Sequence, residues 1–394
     1  MRRWWVLPLA IFAASRLVES LLLHYFLGVQ HDRFIAPGGG PPHHWGHQVT
    51  LLEALTNWDG AWYREIVQHG YPHHLPRSGG QVAESTWAFY PLFPGLVRLV
   101  MFLHLSFEAA AATVSMICGA LASCVLFRFV AERTSRFTAG MTVLGLMFAP
   151  AALIFEAAYT ESLALLLLLL ALWALSKRRY GWFLAFTVLL GFARPVALPL
   201  ALVCGLHFWG RWRGRGEEPF ETREQIKVGG VAVLAALSFG LWPAVVALRT
   251  GVTNGYFETQ SAWSRRSGAH SYASWLMQAL HLQSWLTVGV VVGIALLVGL
   301  MLRWGGRVWS AELRGWTWAY PLYILGTTRP TTSLMRYLLL AVTPWWPVPE
   351  VSERVQSTRA RVGLVSLVVV LGVALQAAWI LFYFIIWPHQ QGAP

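Results

Sequence analysis

Long apolar runs recur along this chain and restrict it to a membrane environment. A helix needs about 20 apolar residues to cross the roughly 30 Å hydrocarbon core of a bilayer, and runs near that length recur between residues 4 and 387. Hydrophobic residues make up 56% of the 394 residues and charged residues only 12%, which excludes an ordinary soluble domain. We therefore predict an all-α polytopic membrane protein, with one transmembrane domain over residues 1–394.

Eleven of the apolar runs are predicted to cross the membrane, although several are short. A further run, 90–106, contains two prolines and Arg98, and we predict that it lies on the membrane surface. The predicted spans are 4–27, 109–130, 138–155, 161–176, 180–193, 195–210, 228–248, 284–302, 315–327, 334–349 and 362–387.

Basic residues decide the predicted topology. If run 90–106 lies on the surface, 19 of the 30 lysines and arginines fall in loops on one side; if it spans, only Arg2 and Arg3 of those stay there. Basic loops face the cytoplasm, so the N-terminus is predicted inside and the C-terminus outside. Residues 28–108 then form a large first exterior loop carrying surface helices, and residues 211–227 form an interior loop.

The same basic residues indicate partners and location. The net charge of +12 is explained by the interior loops and by contact with anionic membrane lipids, so no nucleic-acid partner is predicted. Arginine outnumbers lysine by 28 to 2, a composition that hints at a GC-rich bacterial source. We predict an integral, multi-pass plasma-membrane protein whose polar groups of interest face the exterior.

One polar stretch after the first span, residues 57–71, reads NWDGAWYREIVQHGY. Asp59 is one of only two aspartates in the chain, and it lies between Trp58 and Gly60, where a short carboxylate can be held close to a reacting group. The nearby aromatic rings offer a membrane anchor or a stacking surface for a sugar ring. A second interpretation stays open, in which Asp59 is the N-cap of the following helix.

That following helix is predicted from Ala61 to His69. Trp62, Ile66 and His69 recur at positions i, i+4 and i+7, which places them on one face of an amphipathic helix. We predict that this face lies on the bilayer surface.

Three further ionisable residues are predicted at the exterior ends of spans. Glu156 and Glu161 flank a turn, and Arg194 precedes Pro195 inside an apolar run. A charged group at such a depth is costly and is a functional hypothesis by default. Helix capping at Glu161 and snorkelling of Arg194 to the interface remain alternatives.

Histidines are concentrated in the first exterior loop. The spacing allows a divalent metal site, but the chain contains no HExxH motif, and we favour a solvated loop. No cofactor is predicted, and dependence on a divalent metal is left open. These histidines are His43, His44, His47, His69, His73 and His74.

These motifs resemble those of PIG-V type mannosyltransferases, members of the GT-C superfamily of polytopic glycosyltransferases. The Trp58-Asp59 pair, the WY step and the Gly-Tyr-Pro exit stand in this chain, and FYPLFP at 89–94 resembles the family's Phe-Phe-Pro-Leu-Tyr-Pro stretch. Later motifs occur in the family's order, with inexact matches. They are Tyr159-Thr160-Glu161-Ser162 for a Tyr-Ser-Glu-Ser turn, Arg194-Pro195, Gln260 to Trp263 for Gln-x-x-Trp, and Arg336-Tyr337.

The resemblance implies a GT-C fold and inverting transfer of mannose from a polyprenyl-phosphate-mannose donor to a lipid-linked or cell-envelope acceptor. With it, Asp59 and Glu161 are predicted to be catalytic, and no metal ligand is predicted. The predicted donor-phosphate ligands are Arg194, Arg265, Arg266 and Arg336. The predicted substrate-binding residues are Trp58, Trp62, Tyr63, Tyr159, Gln260, Trp263 and Tyr337.

Two other classes of function stay open. In a lipid or solute transporter or flippase, Asp59, Glu161 and Arg194 would line a translocation path. Transporters commonly show paired repeats with broken helices in matching positions, and no such symmetry is visible in this sequence. The other possibility is a membrane scaffold without catalytic activity.

Overall fold

The computed structural model describes residues 3–38, 42–266, 308–328 and 333–387, with a few isolated positions between 292 and 299. This part of the chain is overwhelmingly helical, which confirms the predicted all-α membrane class. The helices are α1 (Val6–Gln30), α2 (Leu51–Ala54), α3 (Asp59–His69), α4 (Leu92–Met101), α5 (Phe107–Val130), α6 (Arg136–Met147), α7 (Glu161–Ser176), α8 (Tyr180–Gly191), α9 (Ala197–Arg213), α10 (Thr222–Leu237), α11 (Leu241–Thr250), α12 (Gly255–Arg266), α13 (Ala311–Thr327), α14 (Leu334–Leu338), α15 (Pro349–Arg354) and α16 (Thr358–Trp379).

Two small antiparallel hairpins lie in the 28–108 loop. In the first, β1 (Arg33–Phe34) pairs with β2 (His43–His44), and in the second, β3 (Arg77–Ser78) pairs with β4 (Gln81–Val82). The registers place Phe34 opposite His43 and Arg77 opposite Val82.

Four helical stretches of the described chain are long and apolar enough to cross a membrane: Val6–Gln30, Phe107–Val130, Thr222–Thr250 and Thr358–Phe384. The third combines α10 and α11 through a short 3-10 turn, and the fourth extends α16 by a π-helical turn. Predicted run 284–302 lies almost wholly outside the described residues. The eleven-span count and the direction of each span therefore stay predictions.

Helix α7 forms the centre of the molecule. Its sequence, ESLALLLLLLALWALS, is apolar on every side, as expected of a helix that is surrounded by protein. It packs against α5 and α8, while α9 packs against α10 and α13. Helix α7 begins at Glu161, so a carboxylate lies at the N-terminal end of this central helix.

Run 90–106 forms only the ten-residue helix α4. Such a helix is about 15 Å long at 1.5 Å per residue, which is half of the bilayer core. It packs against α3 and α5. A helix of this length does not cross the core by itself, and its position on the membrane surface stays a prediction.

The prediction of a continuous span over 334–349 is wrong. This segment consists of α14, the 3-10 turns Leu339–Ala341 and Thr343–Trp345, and then α15. The buried indole of Trp316 donates to the carbonyl of Leu340 at 2.7 Å, which satisfies one of its free backbone groups. Non-helical backbone at membrane depth is tolerated where protein encloses it, and hydropathy alone does not distinguish it from a helix.

A close approach of α6 fixes the course of this irregular segment. A Cβ atom at Gly145 would lie 2.1 Å from the carbonyl oxygen of Trp345, so only glycine fits there. Beyond it, Ser352 bonds Thr138 at 2.9 Å and Glu353 accepts from Ser135 at 2.8 Å. The irregular segment therefore begins near Arg336 and ends in contact with the start of α6.

Candidate active site

Asp59 is presented by an unusual backbone turn. Helix α3 begins at Asp59, and the preceding Trp58 has φ 60° and ψ −112°, a conformation that is costly for a residue with a side chain. The indole of Trp58 is buried and donates to the carbonyl of Phe384 at 2.8 Å, which holds the turn. The N-cap position belongs to Trp58, and its side chain makes no capping bond. Asp59 is therefore the first helical residue and not the cap.

Tyr159 anchors this turn from the other side. Its hydroxyl donates to the carbonyl of Asn57 at 3.1 Å and accepts from the backbone N–H of Asp59 at 3.3 Å. Gly60 permits the close contact, because its Cβ position lies 3.3 Å from the Cβ of Ala158. Tyr159 was predicted to bind substrate, but its described contacts position the backbone that carries Asp59.

Four ionisable side chains from distant parts of the sequence meet beside this turn. Arg336 contacts the Asp59 carboxylate through Nη1, and its Nε lies 3.3 Å from Oε1 of Glu161. The same Oε1 contacts Nη1 of Arg194, which also donates to Thr160 Oγ1 at 3.4 Å. We call Asp59, Arg336, Glu161 and Arg194, in that order, the ion chain.

Exposure differs along the ion chain. The Asp59 side chain is 29% exposed, Arg194 14%, Arg336 11% and Glu161 1%. Glu161 is therefore surrounded by protein and holds both arginines, whereas Asp59 is the carboxylate that a molecule from outside reaches first.

Aromatic rings line the two guanidinium groups. Arg336 lies over Tyr159 at 5.1 Å and over Tyr337 at 5.2 Å, and Arg194 lies 5.5 Å from the same Tyr337 ring. Such cation–π contacts stabilise a partly desolvated arginine. Burial lowers the pKa of Arg194, but the Glu161 carboxylate and Tyr320 together raise the pKa above its ordinary value, so the group stays cationic.

Helix α13 supplies hydroxyls that were not predicted from the sequence. Tyr320 donates to the carbonyl of Tyr337 at 2.9 Å, and Tyr323 donates to the carbonyl of Pro195. One helix thereby fixes the backbone beside both arginines of the ion chain. The available signal was the spacing of Trp316, Tyr320 and Tyr323 at i, i+4 and i+7, which places three polar-tipped aromatics on one face.

Most of the other predicted substrate-binding aromatics are packed together. Trp62 stacks on Phe89 at 5.6 Å and meets Trp263 at 5.2 Å, while Tyr63 packs edge-on against Phe89 at 5.3 Å. Trp62 and Tyr63 are buried. They anchor α3 against the protein, so the buried face of this helix does not lie on the bilayer as predicted.

Two further predictions concern His69 on α3 and Gln260 on α12. His69 was predicted on the apolar face of α3, but its side chain is 68% exposed and pairs with Glu65 at 3.1 Å. Gln260 donates to the carbonyl of Ala88 at 3.0 Å and to the hydroxyl of Tyr256 at 3.2 Å, which ties α12 to the 28–108 loop. The side chains of Arg265 and Arg266 lie outside the described residues.

The histidines of the 28–108 loop do not converge on a metal centre. No group of three His, Cys, Asp or Glu side chains that could hold a metal occurs within the described ranges. His44 and His31 instead bond Asp32 at 3.0 and 3.1 Å and lower the pKa of Asp32 to about 2. His47 pairs with Glu53 at 3.0 Å.

The overall arrangement matches that of known GT-C structures. The chain resembles ArnT from Cupriavidus metallidurans bound to undecaprenyl phosphate, with a TM-score of 0.50 and 16% identity. The match covers 96% of this chain and 70% of ArnT. The apo oligosaccharyltransferase of Archaeoglobus fulgidus aligns at a TM-score of 0.46 and 12% identity. The chain spans 56% of that protein's length, and 98% of this chain is covered. No protein-family model and no curated protein matches the chain.

The likeness to ArnT defines the fold, and at 16% identity it defines the fold alone. The protein is a polytopic membrane protein with the GT-C fold.

Proposed function

We propose that this protein is a membrane glycosyltransferase that moves mannose from polyprenyl-phosphate-mannose to a lipid-linked or cell-envelope acceptor at the exterior face, with inversion. The ion chain is the observation that carries the proposal, because it pairs one accessible carboxylate, Asp59, with Arg336 and holds a second cationic group, Arg194, through Glu161. The identity of the sugar and of the donor rests on the motif resemblance. The fold is compatible with such a donor, since ArnT shares it and binds undecaprenyl phosphate.

In the proposed reaction, Asp59 accepts the proton of the attacking acceptor hydroxyl. The acceptor oxygen forms a bond to the anomeric carbon on the face opposite the phosphate. The bond from that carbon to the phosphate oxygen breaks, and its electron pair leaves with the polyprenyl phosphate. Arg336 and Arg194 stabilise the charge that develops on the phosphate, which is where electrostatic catalysis is most effective.

The pairing of Arg336 with Asp59 gives donor binding a second consequence. A guanidinium binds a phosphate through charge-assisted, often bidentate hydrogen bonds. The donor phosphate therefore competes with the Asp59 carboxylate for Arg336. We propose that binding of the donor releases Asp59 to serve the acceptor, whereas Glu161, at 1% exposure, keeps both arginines in place.

The direct test is an assay of the purified protein in lipid nanodiscs. Polyprenyl-phosphate-mannose labelled with ¹³C in the sugar is supplied with a lipid extract of the source membrane as acceptor. The expected result is a product heavier by one labelled hexose, with NMR showing an inverted anomeric configuration. Flux of the labelled lipid across vesicles without covalent change would instead identify a transporter. If neither sugar transfer nor flux occurs, the result favours a scaffold without catalytic activity.

The exterior location is tested separately with single cysteines. Ser78 lies in the second hairpin of the 28–108 loop and Glu217 lies in the 211–227 loop, and both are exposed. Ser78→Cys should react with an impermeant thiol reagent in intact cells, and Glu217→Cys should react only after permeabilisation. The reverse pattern would place the ion chain on the cytoplasmic side.

A further inference from the structure

Helix α3 has a second polar face that the proposed reaction does not use. Successive residues turn by 100° around a helix, so Asp59, Tyr63 and Ile66 share one side. Arg64 and Gln68 lie on the opposite side, and both line a cavity of about 90 Å³. A helix separates this cavity from the ion chain.

The walls of the cavity combine aromatic and hydrogen-bonding groups. Phe34 of the first hairpin and Trp45, which directly follows β2, stand side by side with ring centroids 4.5 Å apart, and both are half-buried. Glu53, Glu65 and Gln68 contribute carboxylate and amide groups. Aromatic faces combined with carboxylates and amides suit a sugar ring, which has apolar C–H faces and a rim of hydroxyls.

The cavity is open and small. Gln68 and Pro37 line it and are exposed, so it opens at the surface of the 28–108 loop. One water needs roughly 10–15 Å³ on the same volume scale. A volume near 90 Å³ therefore admits one six-membered ring, with the rest of a glycan outside the opening.

Charge restricts the ligand further. Arg64, the one guanidinium lining the cavity, is already engaged by Glu108 at 2.8 Å and donates to Thr56 at 2.8 Å. It also lies 5.4 Å from the Trp45 ring. With Glu53 and Glu65 in the lining, carboxylates outnumber the guanidinium, counting the adjacent histidines as neutral. A phosphate or another anionic group is repelled there, and an uncharged polyol is not.

We propose that this cavity binds one ring of an uncharged carbohydrate, as a subsite for the glycan part of the acceptor. The assignment of this ring to the acceptor rests on the proposed function. The cavity and Asp59 lie on opposite sides of a helix about 10 Å wide. The ring bound there is therefore a sugar unit beyond the one whose hydroxyl reacts, and the subsite selects acceptors with an extended glycan.

A glycan array probed with the detergent-solubilised protein tests the subsite without requiring sugar transfer. The array carries uncharged, sialylated and sulfated oligosaccharides. The wild type should bind uncharged glycans preferentially, and Gln68→Ala and Trp45→Ala should weaken this binding about tenfold or more, while Trp45→Phe restores part of it. Gln81→Ala, which removes another exposed glutamine of the same loop, is the matched control and should bind as the wild type does.

Asp59→Asn separates the subsite from the reaction. This variant should keep its array binding, because Asp59 lies on the other side of α3. If binding survives but no variant or wild-type protein transfers sugar, the subsite stands and the proposed function fails. Absence of binding to uncharged glycans, preference for anionic glycans, or loss of binding in Asp59→Asn but not in Gln68→Ala would overturn the subsite.

Discussion

Two clusters of arginine and carboxylate side chains in the described part of the chain differ in their exposure and in their bonding partners. The ion chain is one. The second, which we call the α1 cluster, consists of Arg16, Glu19, Glu156 and Gln376. Arg16 pairs with Glu19 at 2.6 Å, and Gln376 donates to Glu19 at 2.6 Å. Every member of the α1 cluster is at most 3% exposed.

The partners of each cluster explain the difference. In the α1 cluster, Arg16 donates to the backbone carbonyls of Ala152 at 2.6 Å and Met147 at 3.4 Å, which fastens α1 to the segment after α6. Arginines of both clusters lie over aromatic rings, but in the ion chain Asp59 remains 29% exposed. A buried charge pair that bonds backbone carbonyls braces the fold, whereas one with an accessible carboxylate is available for chemistry.

Among the variants that distinguish the two clusters, Arg336→Ala should have the largest effect. Loss of one group that stabilises developing charge reduces turnover by about 100-fold or more. The loss should appear in turnover and in donor affinity, measured as kcat and donor KM in nanodiscs. Arg16→Ala, the matched change in the α1 cluster, should lower thermal stability and leave donor KM of the folded fraction unchanged. Equal effects of the two variants on donor KM would remove the distinction.

The next effect compares two glutamates five residues apart. Glu161→Gln removes the buried carboxylate charge that pairs with Arg194 and Arg336. We expect transfer to slow roughly 10- to 100-fold, which is about 1.4–2.7 kcal/mol in activation free energy. Glu156→Gln should leave transfer per folded molecule unchanged, because Glu156 bonds Ser20 at 3.2 Å in the α1 cluster. Rates are normalised to the folded fraction measured by size-exclusion chromatography. Slower transfer by Glu156→Gln would extend the proposed active site to the α1 cluster.

Arg194→Lys should have a smaller effect that is confined to the donor. A lysine keeps the charge but lacks the planar fork, so we expect donor KM to rise about tenfold with little change in acceptor KM. If Arg194→Lys and Arg194→Ala both leave donor KM unchanged, Arg194 binds only Glu161 and lipid headgroups.

The smallest effect is expected for Tyr323→Phe. Removing the hydroxyl that bonds the Pro195 carbonyl loses about 1 kcal/mol of positioning, which corresponds to roughly fivefold in donor affinity. Tyr383→Phe, at a tyrosine 39% exposed, is the control and should match the wild type. An unchanged donor KM in Tyr323→Phe would show that α13 does not position the backbone at Arg194-Pro195.

The sequence predicted which residues belong to the ion chain but not how they are arranged. Asp59, Glu161, Arg194 and Arg336 were all candidates, since charged residues near apolar runs are rare and their motifs occur in family order. Glu156 was a candidate for the same reason. Which carboxylate faces solvent depends on the packing of distant segments, such as α1 against the 152–156 turn, and local sequence does not contain that information.

Aromatic residues were the least predictable part of the site. Trp58, Trp62 and Tyr63 were predicted as a stacking surface, yet they hold the backbone of α3 by packing and by the bond from Trp58 to Phe384. The tyrosines of α13 were missed because Trp and Tyr in an apolar helix look like an interfacial belt. Only the tertiary position of an aromatic ring separates these roles.

Segment 334–349 shows a second limit of prediction from hydropathy. Its apolar composition matches that of a spanning helix, but three prolines after Val342 remove helix donors. Val342 itself has φ 63°, which no regular helix allows. The prolines were visible in the sequence and were outweighed by composition.

The measurement that tests the central claim most directly is the transfer rate of Asp59→Asn. Asparagine keeps the size of the side chain but removes the proton acceptor, and we expect normal folding with transfer slowed by about 100-fold or more. Asp59→Glu should also fail, because the added methylene moves the carboxylate by about 1 Å and reacting geometry is unforgiving. If Asp59→Asn transfers mannose at the wild-type rate in nanodiscs, Asp59 is not the catalytic base, and Glu161 becomes the carboxylate to test.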